Sequence, residues 1–262
     1  MSHLRHRIDG DLSIITLVNP PQNRITSQMS DEFGEAVAAT AASGARALLL
    51  HAEGPDFSYG GDIRPWPGLG APALRQLLAR HLAAFNAFES LPIPTVAAVQ
   101  GLCFGGGLEL VARADIVFAG ETARFGHPEQ SIGIVTLLGG IYRVAAKVGR
   151  AKAYEWALTS EQVPAAEMER RGLINRVVAD GTLLDEATDF ARRLAAGPTL
   201  AHAAHKALLK AWTAGGAAAA EEVLLDLAMP LFASDDVKQA IPAAIAALDA
   251  GKPRPVFGFK GR

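Results

Sequence analysis

The residues of this chain best suited to chemistry are two glutamates and a run of glycines. Gly105, Gly106 and Gly107 follow the apolar segment that begins at Thr95 and lead directly into Leu108-Glu109-Leu110. A turn from a strand into a helix leaves backbone N–H groups unpaired and aims the positive end of the helix dipole at one point. Glycine lets a ligand approach that backbone and tolerates φ above zero. A developing negative charge would suit such a turn, and a flexible turn with no ligand is the plain alternative.

Glu109 lies between leucines in a segment that stays apolar until Arg113, whereas solvated glutamates usually have polar neighbours. Glu129 follows His127 and Pro128 in a loop that ends at Gly133. Taken singly, each could be an ordinary surface or ion-paired residue. Together, beside an N–H anion site, they make a coherent device. An ionised carboxylate takes a proton from water or carbon, and one kept protonated by an apolar site delivers a proton. Backbone donors meanwhile hold the oxyanion on a substrate carbonyl.

Other uses of these residues fit less well. A dinucleotide fingerprint needs G-x-G-x-x-G, and after Gly105 and Gly107 the third position is Leu110. His202 and His205 lack an acidic or cysteine partner close in sequence, so no metal site is expected. Cys103, the single cysteine, excludes an internal disulfide framework and suits a reducing, cytoplasmic setting as a small buried hydrophobe.

The elements that must position these residues alternate. Strands are expected at 12–18, 45–51, 95–99, 116–119 and 173–178, with helices at 29–40 (capped by Thr26 or Ser27), 74–88, 108–114 and 137–148. Residues 53–72, rich in Gly and Pro, read as an irregular loop, and 125–130 as a polar one. This order favours an α/β core. Beyond it the chain reads as helical, at 183–196, 200–213, 218–232 and 236–248. A boundary falls near residue 195, where Gly197 and Pro198 interrupt the helices, dividing the chain into 1–195 and 196–262. The basic end, with Lys252, Arg254, Lys260 and Arg262, is too short to fold alone.

At 262 residues, half of them hydrophobic and 20% charged, the chain can bury a large core. Its formal net charge of −2 gives no general pull toward nucleic acid or anionic membrane. Neither a signal-peptide pattern nor an uninterrupted apolar run long enough to span a bilayer is found.

Four segments together resemble the crotonase, or enoyl-CoA hydratase/isomerase, superfamily: Asn19-Pro-Pro-Gln-Asn-Arg-Ile-Thr26, Phe57-Ser-Tyr-Gly-Gly-Asp-Ile63, the Val99 to Leu110 stretch, and Phe125-Gly-His-Pro-Glu-Gln-Ser-Ile-Gly133. The Lys252-Pro-Arg-Pro-Val-Phe257 stretch resembles the family's closing segment. The resemblance implies a spiral of repeated ββα units over 1–195 and a helical region, 196–262, that builds homotrimers or dimers of trimers. It implies an acyl-CoA thioester substrate, with coenzyme A part of the substrate and no separate cofactor.

By motif match the oxyanion would rest on the backbone N–H groups of Tyr59 and Gly106. Glu109 and Glu129 would be the acid/base pair of a hydratase, whereas isomerases commonly keep only the second. Water held by the pair would add to the β-carbon, Glu109 helping to activate it and Glu129 supplying the α-proton. Gly60, Gly61, Asp62 and Ile63, with Gly105 and Gly106, would contact the CoA thioester, and Arg24, Phe257 and Lys260 its phosphates and adenine. Tyr59 stands where the family often has a small residue, and Thr136, Leu137 and Leu138 replace a more usual stretch containing Pro and Gly, so the pocket's shape differs. Isomerase, decarboxylase or C–C hydrolase chemistry and non-catalytic acyl-CoA binding remain alternatives on the same fold.

Overall fold

The computed structural model describes residues 1–261; Arg262 of the basic C-terminal segment lies outside the described residues. The elements run β1 (Leu4–Asp9), β2 (Leu12–Leu17), α1 (Ser27–Ala42), β3 (Ala47–Ala52), α2 (Ala71–Glu89), β4 (Thr95–Val99), β5 (Leu102–Phe104), α3 (Gly106–Val111), β6 (Ile116–Gly120) and β7 (Arg124–Gly126). There follow α4 (Gly140–Val148), α5 (Arg150–Thr159), β8 (Val163–Pro164), α6 (Ala165–Arg170), β9 (Arg176–Val178), α7 (Leu183–Ala195), α8 (Thr199–Ala228) and α9 (Asp235–Asp249).

Six strands form one sheet in the order β1-β2-β3-β4-β6-β9, antiparallel between β1 and β2 and parallel elsewhere. Helices cover both faces, which is why β2 and β4 are buried at every position, Ser13, Thr16 and Thr95 included. Because side chains alternate along a strand, Ile15, Leu17, Leu48 and Leu50 join the core that contains Phe33 of α1 and Phe85 and Phe88 of α2. Leu12, Ile14, Leu49 and Phe118 instead meet Leu183, Ala187 and Ala191 of α7. Phe33 stands edge-on to Phe85, with ring centroids 5.9 Å apart. A smaller sheet, β5-β7-β8, carries Cys103, which is buried as expected.

The expected α/β order is present, with differences that have physical causes. β1 was not anticipated, because its polar residues belong to an edge strand paired along its whole length with β2. Neither were β5, β8, α5 and α6. The cap of α1 is Thr26, whose hydroxyl accepts from Met29 N–H. The helix expected from residue 137 starts at Gly140, because the Leu138 N–H bonds a side chain and Gly139 takes φ +88°. Of the strand expected at 173–178, only Arg176–Val178 pairs; the loop at 125–130 is part strand and part a short 3-10 turn, Pro128–Ile132. The helices expected at 200–213 and 218–232 correspond to the two arms of α8, bent at Gly215 and Gly216, the second ending at Ala228 and followed by a 3-10 turn, Met229–Ala233.

α8 buries none of its residues. Among the described residues, no helix is long and apolar enough to cross a membrane.

Candidate active site

The loops leaving the carboxyl ends of β2, β3 and β4 converge, as they must for neighbouring parallel strands. Asn23, buried with φ +48°, ties two of them together. Its Nδ2 donates to Glu53 O at 2.8 Å and to Asp56 O at 2.9 Å, while its Oδ1 accepts from Asn19 N–H at 2.9 Å. Ser58 Oγ donates to Asn23 O at 2.7 Å and accepts from Gly60 N–H at 3.1 Å. Ile25 N–H donates to Gly60 O, and Asp62 N–H to Ile25 O, so the chain at 60–62 lies as a short extended segment against Ile25. In an extended segment successive peptide groups point to opposite sides, so the N–H of Gly61 points away from Ile25.

Gly61 comes close to Gly106: a β-carbon on Gly106 would lie 3.5 Å from the Gly61 nitrogen and 2.9 Å from Ile25 Cδ1. Neither Gly61 N–H nor Gly106 N–H has a hydrogen-bond acceptor among the described residues. The expected pairing of Tyr59 with Gly106 therefore needs correction. The Tyr59 N–H donates to Gln22 O at 3.0 Å and is not available, whereas the Gly61 N–H, two residues on and beside Gly106, has no acceptor. Gly105 N–H is likewise occupied by Gly126 O at 2.9 Å, so Gly106 is the glycine of the triplet that offers its N–H to the pocket.

Gly60 holds this arrangement by having no side chain. Its φ is +83°, and a β-carbon there would sit 2.7 Å from Phe104 O and 2.9 Å from Gly106 N. Both are main-chain atoms that cannot rotate away. Gly60→Ala is expected to lower stability by about 1–3 kcal/mol in chemical denaturation; wild-type stability would contradict this packing.

Glu109 is 2% exposed, and its Oε1 accepts from Leu138 N–H at 2.7 Å and Gly140 N–H at 2.8 Å, the latter at the start of α4. Burial raises its pKa, and the two backbone donors and the Arg113 guanidinium partly oppose that rise. Arg113, one helical turn on and also buried, donates to Glu109 O at 2.6 Å and to Leu138 O at 2.5 Å, clamping helix and loop together. Glu129 has no donor from another described residue, and only its own backbone N–H opposes the effect of burial. Its Oε2 is buried without a partner, and burial, reinforced by the Glu109 charge, pushes its pKa up to about 7. His127 Nδ1 lies 3.7 Å from Glu129 Oε2. Burial lowers the His127 pKa to about 4, so this is a contact with a neutral imidazole and not an ion pair.

Glu109, Glu129, Gly61 and Gly106 all line one cavity of about 340 Å³. Most of its remaining wall is apolar, including Ile25, Ile63, Trp66, Leu78, Leu137 and Leu138. Arg24, Tyr59 and Gly105 also line it, the Arg24 guanidinium lying 5.6 Å from the centre of the Tyr59 ring.

Gly60 and Asp62 do not line the cavity; Gly60 supports the loop, and the Asp62 carboxylate pairs with Arg64 at 2.7 Å. Phe257 and Lys260 do not reach the cavity of their own chain either. The segment that carries them is tied down where Asp236 accepts from the N–H groups of Lys260 and Gly261 and Arg46 donates to Phe259 O. Arg113, His127 and His81 were not anticipated as neighbours of the site. The position of Arg113 four residues after Glu109, and of His127 two before Glu129, were the signals available.

The sequence profile of the family described as "Enoyl-CoA hydratase/isomerase" matches residues 7–247. A "Probable enoyl-CoA hydratase" from Rhizobium meliloti is 38% identical over 189 residues, 71% of this chain and 72% of that protein. An "Enoyl-CoA isomerase/hydratase" from Zymoseptoria tritici is 30% identical over 224 residues, 79% of this chain and 73% of its own. Among solved structures, "Enoyl-CoA Hydrates Subunit I" from Geobacillus kaustophilus superposes with a TM-score of 0.89 at 30% identity, covering 99% of this chain and 98% of that one.

Proposed function

The chain belongs to the enoyl-CoA hydratase/isomerase family and has its crotonase fold, and from that premise we propose that it adds water across the 2,3-double bond of a 2-enoyl-CoA. The observation that carries this reading is the meeting of a buried carboxylate, a second one with one oxygen enclosed, and two unpartnered backbone N–H groups in one largely apolar cavity.

In the proposed reaction the thioester oxygen rests between Gly61 N–H and Gly106 N–H. Water attached by hydrogen bonds to Glu109 and Glu129 attacks the β-carbon, and the π electrons move to the thioester oxygen as an enolate. The enolate then collapses as Glu129 transfers its proton to the α-carbon, and Glu109 takes the proton that the water sheds. Solvent returns each carboxyl to its starting state. Three features support these roles. The pKa of Glu129, about 7, gives it a proton to deliver near neutrality. Glu109 has both recorded hydrogen bonds on Oε1, which leaves Oε2 for water. The Gly61 and Gly106 N–H groups are adjacent and unpartnered, and a donor to a developing oxyanion is worth about 3 kcal/mol in such a site. Isomerisation needs one carboxylate to move a proton between carbons; a second one in the same cavity favours hydration.

Arg24 is the side chain of this cavity suited to a CoA phosphate. Coenzyme A enters as part of the substrate, and the steps call on no other cofactor. The 196–262 region would assemble the chain into a homotrimer or dimer of trimers. Supporting that, α8 buries nothing and leaves Leu209, Trp212 and Leu225 exposed. Light scattering should give a mass of three or six chains, and a single-chain mass would contradict the assembly.

The reading is tested by following loss of the conjugated thioester absorbance with crotonyl-CoA and longer 2-enoyl-CoAs. Turnover is expected. If none is consumed while a 3-enoyl-CoA is isomerised, hydration is excluded. Tight CoA binding with no chemistry across the panel would instead point to a binding protein.

A further inference from the structure

Among the cavity's polar side chains is a buried one for which hydration has no use. His81, on α2, lines it together with Ile63, Trp66 and Leu78 and is 4% exposed. Neither ring nitrogen has a hydrogen bond among the described residues; Nδ1 is enclosed, whereas Nε2 is not and is the nitrogen that a bound group can reach. Buried polar groups are normally bonded, because each one left unpaired is costly. Burial and the nearby Arg80 charge, against weaker help from Asp31, lower the pKa of His81 to about 4. The ring is therefore neutral near pH 7, with one nitrogen donating and the other accepting.

A histidine kept solely for packing would be outperformed by leucine here, since leucine fills the space without an unpaired polar atom. We propose that His81 selects the acyl group, so that the cavity takes thioesters whose acyl chain carries an uncharged hydroxyl or carbonyl that hydrogen-bonds the imidazole. An ionised carboxylate fits poorly, because it would lose its water beside a neutral ring in an apolar wall. A site built to hydrogen-bond such a group discriminates against the analogue that lacks it, because the site's own polar atom is then left unpaired.

This inference rests on the acyl-CoA reading, and the test separates the two by measuring binding without chemistry. Calorimetry would compare a series of saturated acyl-CoA thioesters with their terminally hydroxylated and terminally carboxylated counterparts. Wild-type protein is expected to bind a hydroxylated member about tenfold or more tightly than its plain counterpart. His81→Leu should lose or reverse that preference while keeping affinity for plain chains, and His81→Gln, which keeps a hydrogen-bonding group, should retain part of it. Equal affinities in the wild type, a preference unchanged in His81→Leu, or tightest binding of the carboxylated series would each overturn the role of His81. If no thioester of any kind binds, the acyl-CoA reading fails and takes this inference with it.

Discussion

Glu129→Gln is expected to lower hydration of a 2-enoyl-CoA by about a hundred- to ten-thousand-fold, because Gln cannot deliver the α-proton. The same substitution should stabilise the fold at alkaline pH. The Glu129 pKa is raised from an ordinary 4.5 to about 7, chiefly by burial. Between those values the folded protein keeps a proton that the unfolded chain has released. Its contribution to stability is thus fully present below about 4.5 and is lost as pH rises through about 7. At about pH 8 the Gln variant should exceed wild type by on the order of 3 kcal/mol, and near pH 4 the two should converge. Denaturation curves at both pH values check this; a variant less stable than wild type at alkaline pH would remove the case for a strongly raised carboxyl. In the wild type, hydration should fall about tenfold for each pH step above 7 as the acid ionises.

Glu109→Gln should cost a comparable factor, about a hundredfold or more, by a different route. The glutamine oxygen can still accept from Leu138 N–H and Gly140 N–H, so the loop at 136–140 and the start of α4 should keep their places. What is lost is a base for the water. The expected result is a low kcat in a protein whose Tm and affinity for a saturated acyl-CoA resemble those of wild type. A rate near wild type would take Glu109 out of the mechanism.

Much of this site could be read before any coordinates, for reasons that individual residues make clear. Glu109 was conspicuous as a charge among leucines, and the structure places it in the cavity with Glu129. The alternation of strands and helices was legible because β2, β3 and β4 are buried on both faces and carry no polar interruption long enough to confuse the pattern. That the Gly61 N–H is unoccupied while that of Tyr59 is not was not legible. That depends on Gln22 accepting from Tyr59 and on Ile25 pairing across Gly61, both set by chain distant in sequence. Residues 137–139 have helical spacing but serve as a clamp on Glu109, so a local preference yields to a buried carboxylate that needs donors. His81 reads as one more position on an amphipathic helix until the cavity beside it is seen.

The central claim, that Glu129 protonates the α-carbon of an enolate held by Gly61 and Gly106 while water adds to the β-carbon, is tested most directly by isotope placement. A 2-enoyl-CoA turned over in D₂O and examined by NMR should give a 3-hydroxyacyl-CoA with one deuterium at the α-carbon, on the same face as the new hydroxyl. A 3-enoyl product, or a thioester recovered unchanged, would contradict it.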